Sequence, residues 1–333
     1  MGCSVIVGGA FGDEGKGKII SYLALHDNPA IAVRGGVGPN AGHTVVCRGK
    51  TLKLRMLPSA VVNPSTRLLI GAGVLVDPDV FLKEVADTMS ENRARVDRNC
   101  GIIEKKHIEQ DKEGHLKDKI GTTGTGTGPA NADRVLRVGR IASQEPRLAP
   151  YIENVSNSVN DALDANKSVL VEGTQGTLLS LYHGNYPFVT SKDVCASGIC
   201  SDVGIGPKRV DDVIAVFKSY LTRVGSGPLE GEIAEREALE RGWQEYGSVT
   251  GRARRAAPFN YELAKEAVRL NSATQIALTK LDSVFPETGG ARKYEKLPGE
   301  AKKFVERVED ELRTPVVYIG TGPDSDDIID RRN

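Results

Sequence analysis

Short apolar runs alternate with helical patterns along the 333-residue chain. Each run is rich in β-branched and aliphatic residues, which is typical of strands buried on both faces of a parallel sheet. The predicted strands span residues 5–7, 30–33, 67–70, 168–171, 212–217, 274–278 and 315–319. The predicted helices span residues 16–26, 80–92, 156–166, 259–269 and 299–312. The pattern predicts an α/β fold with a mostly parallel central sheet flanked by helices.

The predicted strands near both ends of the chain are equally apolar, which favours a single domain over residues 1–333. The segment 104–119 is dense in charge and poor in apolar residues, so we expect a surface excursion near 101–120. In open parallel sheets, ligands bind at the loops that follow the carboxyl ends of strands. Most glycine-rich segments of this chain follow predicted strands, and this placement predicts a nucleotide-sized ligand.

The charge balance excludes some partners. Lysine and arginine total 44, as do aspartate and glutamate, so the net charge is zero and no long-range attraction to a polyanion is expected. We therefore predict no nucleic-acid partner. The five cysteines are scattered without a CxxC pair, which indicates a reduced compartment. The absence of a signal peptide pattern and of a long apolar run predicts a cytoplasmic protein with no membrane partner.

A glycine-rich loop with a lysine follows the first predicted strand. Five residues separate Gly9 from Gly15-Lys16, one more than in the Walker A pattern, in which backbone N–H groups and the lysine hold phosphates. Gly17 stands where the Mg²⁺-binding hydroxyl would be, and Asp13 is the candidate replacement ligand. The arrangement predicts a phosphate site at a helix N-terminus, similar to P-loop nucleotide hydrolases. The alternative is a tight turn with Asp13 as the helix N-cap.

A second motif, Thr279-Lys-Leu-Asp282, follows the predicted strand 274–278. It matches the [NT]KxD pattern that reads guanine, because a carboxylate accepts hydrogen bonds from N1–H and the 2-amino group, both absent from adenine. The stem of Lys280 would lie along the base plane. The late loop 320–323 would cover the other edge of the base. The alternative is a polar loop without a ligand.

An arginine-rich loop spans residues 246–255 and contains Arg252 and Arg254. Arginine forks suit bidentate capture of a carboxylate or phosphate. No aromatic residues are interleaved with these arginines, which argues against a nucleic-acid surface. In another glycine-rich segment His43 lies between Gly42 and Thr44, and this context favours a histidine held against a ligand over a structural one.

Together these motifs resemble the adenylosuccinate synthetase family, whose members join L-aspartate to IMP at the expense of GTP. The matching segments are 12–18, 40–44, 121–124, 172–177, 186–191, 222–225, 250–252, 279–282 and 321–323. The short chain is similar to the compact archaeal form. The resemblance implies Mg²⁺ as the cofactor, GTP as a co-substrate, IMP and L-aspartate as the other substrates, and a 6-phosphoryl-IMP intermediate.

The resemblance also implies roles for individual residues. Asp13 would take the N1 proton of IMP, Gln175 would hydrogen-bond O6, and His43 would stabilise the phosphates during transfer. The implied GTP-binding residues are Gly12, Gly15, Lys16, Gly17, Gly42, Arg254, Lys280, Asp282, Gly320, Thr321 and Gly322. The implied IMP-binding residues are Asp13, Asn40, Thr123, Arg137, Gln175, Thr190, Val224 and Arg252. The implied aspartate-binding residues are Thr250, Arg252 and Arg254. The implied Mg²⁺-binding residues are Asp13 and Gly42.

In the resembling family, the residue at position 137 acts across a two-fold interface, so a homodimer is implied. The chain departs from the family pattern at Ala10, Phe11, Thr125, Ala253 and Gly320. None of these departures removes an implied catalytic group, so we expect activity.

Two alternatives stay open. One is a phage-type relative that joins aspartate to dGMP, although the retained Asp13 favours IMP because a 2-amino group would crowd the carboxylate. The other is a GTP-binding protein without ligase activity, which would leave Gln175 and the arginine loop without a role.

Overall fold

The structure is a computed structural model that describes residues 2–113, 116–247 and 251–332. The strands within these ranges are β1 Cys3–Gly8, β2 Ile31–Arg34, β3 His43–Cys47, β4 Lys50–Leu54, β5 Arg67–Ile70, β6 Leu75–Val76, β7 Ala94–Asp97, β8 Gly101–Ile102, β9 Ile152–Glu153, β10 Val169–Glu172, β11 Asp212–Lys218, β12 Tyr220–Arg223, β13 Arg255–Pro258, β14 Gln275–Thr279, β15 Val316–Gly320 and β16 Ile328–Asp330. The α-helices are α1 Lys16–Asp27, α2 Pro78–Asp87, α3 Lys105–Asp111, α4 Thr127–Leu136, α5 Val155–Asp164, α6 Ala196–Val203, α7 Glu235–Glu240, α8 Tyr261–Asn271, α9 Leu281–Val284 and α10 Gly299–Leu312.

Ten strands of the described chain form one sheet in the order β16-β15-β14-β11-β1-β10-β2-β5-β7-β9. Neighbouring strands are parallel throughout, except that β16 runs antiparallel to β15. Val5 of β1 pairs with Val171 of β10 on one side and with Val213 of β11 on the other. Because β1 lies near the middle of this order, the loop that follows it opens at the centre of the carboxyl edge of the sheet.

The side chains of β1 point alternately into two hydrophobic cores. Val5 and Val7 pack on one face, in a cluster that includes residues of α5, α6, α8 and α10. Ile6 packs on the opposite face, in a cluster that includes residues of α1 and α2. A sheet buried on both faces needs apolar residues at successive positions, which is the pattern that the strand predictions used. The predicted fold class is confirmed.

All seven predicted strands are present, and α10 has the predicted bounds. The helix predicted over 80–92 ends earlier, at Asp87, because Met89 adopts a left-handed φ of 50° directly after the C-cap Thr88. The short antiparallel pairs β3–β4 and β12–β13 were not predicted. No helix in the described ranges has the length and apolar character that a bilayer crossing requires.

The charged segment 104–119, expected as a surface excursion, contains α3 and a following π-helical turn. Two side chains of α3, His107 and Asp111, are buried. His107 pairs with Asp133 of α4 at 3.0 Å. Asp111 accepts hydrogen bonds from the Thr122 hydroxyl at 2.8 Å and from a backbone N–H at 2.8 Å. The segment therefore braces the loop that joins it to α4.

Candidate active site

Residues 9–17, called here the phosphate loop, lead from β1 into the first turn of α1 and fold around a buried carboxylate. The Glu14 side chain is 1% exposed, and its Oε1 accepts hydrogen bonds from the backbone N–H of Ala10 at 3.0 Å and of Gly12 at 2.7 Å. Its Oε2 lies 3.0 Å from the ammonium of Lys16, which is also buried. Gly15 caps α1 with a left-handed φ of 86°. The role of Glu14 was not predicted, because nothing local in the sequence distinguishes it from a solvated loop carboxylate.

Two glycines of the phosphate loop are required by close packing. A Cβ on Gly12, whose φ is +94°, would lie 2.9 Å from the Cα of Gln175. A Cβ on Gly17 would lie 3.0 Å from the Ser59 hydroxyl and 3.3 Å from the Cβ of His43. Gly17 therefore replaces the Walker A hydroxyl residue because the start of α1 packs directly on these two residues.

The guanine-type motif is tied to the phosphate loop. The hydroxyl of Thr279 donates to the Glu14 carbonyl at 2.6 Å. Lys280 holds a left-handed φ of 60° at the N-cap of α9, and Asp282 follows in the first turn. Asp282 Oδ1 is buried and has no hydrogen-bond partner among the described residues. An unpartnered buried oxygen is costly, so this carboxylate is suited to donors that a ligand supplies.

Gly320 ends β15, and Thr321 and Gly322 follow it beside this motif. A Cβ on Gly320 would lie 3.2 Å from the Cε of Lys18 and 3.3 Å from the Cα of Thr279. This tight fit explains why position 320, one of the five positions at which the chain departs from the family pattern, holds a glycine. The hydroxyl of Thr321 donates to the Ala291 carbonyl at 2.7 Å, and Gly322 packs against Asp327.

His43 begins β3 and is 5% exposed. Its Nδ1 bonds the carboxylate of Glu172, the last residue of β10, which also accepts from the N–H and hydroxyl of Ser59 at 2.6 and 2.8 Å. Burial and the nearby Arg34 lower the pKa of His43 to about 4, although Glu172 opposes the shift. The ring is therefore neutral at pH 7. Its Nε2 is buried and has no partner within the described chain.

Asp13 faces three donors through one oxygen. The Thr222 hydroxyl donates to Oδ2, the ammonium of Lys218 lies 3.5 Å away, and Nε of Arg254 lies 3.4 Å away. Lys218 ends β11 and is 2% exposed, while Asp13 is 10% exposed. The tertiary structure thus places the carboxylate of the phosphate loop against the arginine loop, which lies far away in the sequence.

A cavity of about 420 Å³ opens beside Asp13, a size typical of small-molecule sites. Residues predicted for the substrates converge on it: Gly12, Asp13, Asn40, Gly42, Thr123, Gln175, Thr190, Val224, Arg252 and Arg254. Arg252 donates to the Gly121 carbonyl at 2.8 Å, and so joins the arginine loop to the segment with Thr123. Gln175 reaches the cavity from a left-handed backbone with φ 62°, a strained conformation of the kind that clusters at functional sites.

Among the described residues predicted to bind IMP or L-aspartate, Arg137 alone does not line this cavity; His43 and most of the predicted GTP-binding residues also lie outside its lining. Arg137 is exposed at the C-cap of α4, with φ 66°. Its neighbours Val135, Leu136 and Val138 are 79%, 70% and 66% exposed. Thr250 lies outside the described residues.

The donor set fits a magnesium ion shared with phosphates. No group of three or more His, Cys, Asp or Glu side chains suited to a metal occurs in the described ranges. Mg²⁺ in nucleotide enzymes commonly uses one or two carboxylates, with phosphate oxygens and water completing the shell. Asp13 supplies one carboxylate at the phosphate loop, and Gly42 lines the same cavity. The residues present therefore match this class of site.

The sheet, the phosphate loop at its centre and the cavity beside it define an α/β nucleotide-binding protein. The family model for adenylosuccinate synthetase matches residues 5–144 and 138–288. Curated adenylosuccinate synthetases from Archaeoglobus fulgidus and Methanocaldococcus jannaschii are each 54% identical to this chain, covering 100% and 99% of it and 99% and 97% of their own lengths. The chain belongs to the adenylosuccinate synthetase family, whose enzymes join L-aspartate to IMP with GTP.

Solved structures agree with this assignment. The fully ligated adenylosuccinate synthetase from Plasmodium falciparum matches with a TM-score of 0.92 and 26% identity, covering 99% of each chain. The cyanophage S-2L succinoaminodeoxyadenylate synthetase bound to dGMP and dATP matches with a TM-score of 0.82 and 26% identity, covering 100% of this chain and 96% of that one. The high identity to the archaeal synthetases favours the IMP ligase over both alternatives raised from the sequence.

Proposed function

We propose that this protein forms adenylosuccinate from IMP and L-aspartate, with GTP as the phosphoryl donor, in the cavity beside the phosphate loop. The observation that carries the proposal is that Asp13, Gln175 and Arg254 line one cavity, although they lie on three separate segments. A base, an amide and an arginine fork around one small-molecule site match the two steps of this reaction.

In the first step, O6 of IMP becomes a nucleophile. Asp13 accepts the N1 proton, the electron pair shifts onto O6, and the amide of Gln175 donates to O6. O6 attacks the γ-phosphorus of GTP, the bond to the β-phosphate oxygen breaks, and GDP leaves. The Thr222, Lys218 and Arg254 donors around Asp13 hold its carboxylate in place for this transfer.

His43 interacts with the transferring phosphoryl group through Nε2. Its Nδ1 bonds Glu172, so the free nitrogen of the neutral ring is a hydrogen-bond acceptor. The negative charge of an incoming phosphate favours a proton on this nitrogen, which converts it into a donor. Glu172 stabilises the resulting imidazolium.

In the second step, the amine of L-aspartate attacks C6, the C6–O6 bond breaks, and the phosphate that leaves with O6 takes up the proton that the amine loses. Arg252 and Arg254 provide the positive charge that the two carboxylates of aspartate require. Thr250 is proposed to assist them. Asn40, Thr123 and Thr190 would hold the 5′-phosphate of IMP, and Val224 would contact the ribose. Asn40 Nδ2 lies 3.5 Å from the Thr190 hydroxyl, which supports a shared ligand.

The nucleotide is proposed to bind along the phosphate loop. Gly12, Gly15, Lys16, Gly17 and Gly42 would contact the phosphates of GTP, while Lys280 and Asp282 would read guanine. Residues 320–322 would cover the remaining edge of the base. Asp13 and the backbone of Gly42 would hold Mg²⁺, which neutralises phosphate charge when bound. The unpartnered Asp282 Oδ1 supports the choice of guanine.

A homodimer is proposed in which Arg137 reaches the IMP phosphate of the opposite subunit. The exposed Val135, Leu136 and Val138 support this arrangement, because clustered apolar residues on a surface mark contact sites. Mixing the inactive variants Arg137→Ala and Asp13→Asn would restore part of the activity, since a mixed dimer contains one intact site. A mixture that stays inactive would contradict the shared site.

We further propose one domain over residues 1–333 and a cytoplasmic location, supported by five free cysteines. The proposed reaction is tested by phosphate release from GTP. Release is expected only when Mg²⁺, IMP and L-aspartate are all present, and only weakly when dGMP replaces IMP. Aspartate-independent release would favour a simple nucleotide hydrolase.

A further inference from the structure

Glu245 stands at the base of the arginine loop, and its carboxylate lies against four donors from three separate segments. Oε1 accepts from the Tyr220 hydroxyl at 2.6 Å and lies 3.7 Å from the ammonium of Lys280. Oε2 accepts from the ammonium of Lys218 at 3.0 Å and from Nη1 of Arg254. The carboxylate is 14% exposed. Neither the motifs nor the proposed reaction gives this residue a role.

The contacts of Glu245 join two ligand sites. Lys280 belongs to the guanine motif and Arg254 to the aspartate loop, so one carboxylate lies against a residue from each. The backbone strengthens the second link, because the N–H of Arg254 donates to the Glu245 carbonyl at 2.9 Å. A single side chain therefore lies between Lys280 and Arg254 and contacts both.

The local charge balance also depends on Glu245. Lys218 and Arg254 lie near both Glu245 and Asp13, so these two carboxylates share two largely buried cations. Removing the charge of Glu245 leaves Lys218 and Arg254 with Asp13 as their remaining carboxylate partner. Cations at low exposure repel one another strongly without a counter-charge, and flexible side chains respond by moving apart.

We propose that Glu245 is a positioning residue that couples the guanine site to the aspartate site. By holding Lys280 and Arg254 at one carboxylate, it makes a bound guanine nucleotide favour the arrangement of Arg254 that receives aspartate. This inference rests on the proposed function and adds a regulatory property to it. Because coupling between binding sites is reciprocal, aspartate must enhance guanine nucleotide binding by the same factor.

The test compares wild type with Glu245→Gln, which keeps the shape and removes the charge. The affinity for L-aspartate is measured by calorimetry in the presence of IMP, with and without a non-hydrolysable GTP analogue. In wild type the analogue is expected to tighten aspartate binding by at least about fivefold, and in the variant by less than about twofold. In steady-state assays of Glu245→Gln, the KM values for aspartate and GTP should both rise about tenfold over wild type. The KM for IMP should stay within about twofold of the wild-type value.

Glu232→Gln is the matched control. Glu232 pairs at 2.7 Å with Arg255, the residue that directly follows Arg254. The side chain of Glu232 is 38% exposed, so this pair lies at the surface. This variant should keep wild-type kinetics and coupling. A second variant, Lys280→Met, removes the contact that Glu245 makes with the guanine motif. At saturating GTP its KM for aspartate should rise about fivefold.

Coupling retained in Glu245→Gln, or an unchanged aspartate KM in Lys280→Met, would overturn the proposal. The aspartate KM of Lys280→Met tests the proposal even if Glu245→Gln does not fold. If wild type itself fails to consume IMP and aspartate, the proposed function falls, and that result is distinct from a loss of coupling in an active enzyme.

Discussion

The buried polar groups of the phosphate loop have hydrogen-bond partners within the chain, whereas several buried polar atoms around the loop have none among the described residues. In the loop, Glu14 bonds two backbone N–H groups and Lys16, so a buried charged cluster is neutralised inside the chain. Around it, Asn40 Oδ1, His43 Nε2 and Asp282 Oδ1 are buried without partners in the described residues. The loop thus satisfies its buried charges within the chain, whereas we propose that the surrounding atoms acquire their partners from the ligand.

This difference separates stability from function. Substitutions inside the loop should lower the free energy of unfolding and activity together. Substitutions among the unpartnered atoms should lower activity and leave stability unchanged or slightly higher, because an unsatisfied buried group is costly to the folded state.

Asp13 lies in the loop but faces the cavity, so it provides the strongest test. Asp13→Asn should lower kcat by about 10³, the range expected for loss of a general base, because an amide does not accept the N1 proton. The free energy of unfolding should change by less than about 1 kcal/mol, since asparagine still accepts from Thr222. Stopped assays of phosphate release and urea unfolding measure the two effects. Turnover close to wild type would exclude Asp13 as the base.

Glu14→Ala should lower the free energy of unfolding by about 3–5 kcal/mol, because Lys16 would stay buried without its partner. Urea denaturation monitored by circular dichroism measures the loss. The matched control is Asp87→Ala, which breaks the exposed pair with Lys83 and should cost less than about 1 kcal/mol. Equal losses in the two variants would show that the loop does not depend on its internal carboxylate.

Glu245 makes the region between the loop and the cavity sensitive to acid. Burial raises its pKa, but Lys218, Lys280 and Arg254 outweigh burial and lower the pKa from its ordinary value of 4.5 to about 2. The unfolded chain therefore binds the proton first as pH falls. The carboxylate contributes about 3 kcal/mol above pH 4.5, and this contribution is lost as pH falls towards 2.

The free energies of unfolding of wild type and Glu245→Gln should accordingly differ most at pH 7 and converge below pH 4.5. Urea unfolding at a series of pH values gives the difference directly. A difference that stays constant between pH 7 and pH 3 would contradict the lowered pKa.

Asp282→Asn probes an unpartnered atom. The KM for GTP should rise about 10- to 100-fold, because two hydrogen bonds from guanine to a charged acceptor are weakened. Xanthosine triphosphate should become the better donor, since the asparagine N–H₂ matches its 2-carbonyl group. Stability should not fall. A variant that loses stability as well as GTP affinity would place Asp282 with the phosphate loop instead.

Gly320→Ser should have the smallest effect. The new Cβ would meet the Cε of Lys18 at 3.2 Å and the backbone Cα of Thr279 at 3.3 Å, and a shift of a few tenths of an ångström relieves both contacts. We expect less than about 1 kcal/mol of destabilisation and less than about a threefold change in the KM for GTP. A larger change in KM would show that the glycine is needed for the nucleotide as well as for packing.

The amino-acid sequence by itself determined the elements whose signals are local. Continuous apolar runs marked the seven predicted strands, and apolar periodicity marked α10 to the residue. The glycine–lysine loop and the Thr279–Asp282 motif were also readable, because the spacing of their functional groups along the chain is part of their chemistry. The short pairs β3–β4 and β12–β13 were missed, since their polar sequences lack a clear period.

Tertiary structure alone decided which groups meet. His43 pairs with Glu172, which lies 129 residues away, because β10 and the loop after β2 end at the same edge of the sheet. Asp13 meets Thr222 across 209 residues for the same reason. The buried roles of Glu14, Asp111 and Glu245 likewise depend on neighbours from other segments. A charged residue in a loop has the same local pattern whether it is solvated or buried, and only packing distinguishes the two states.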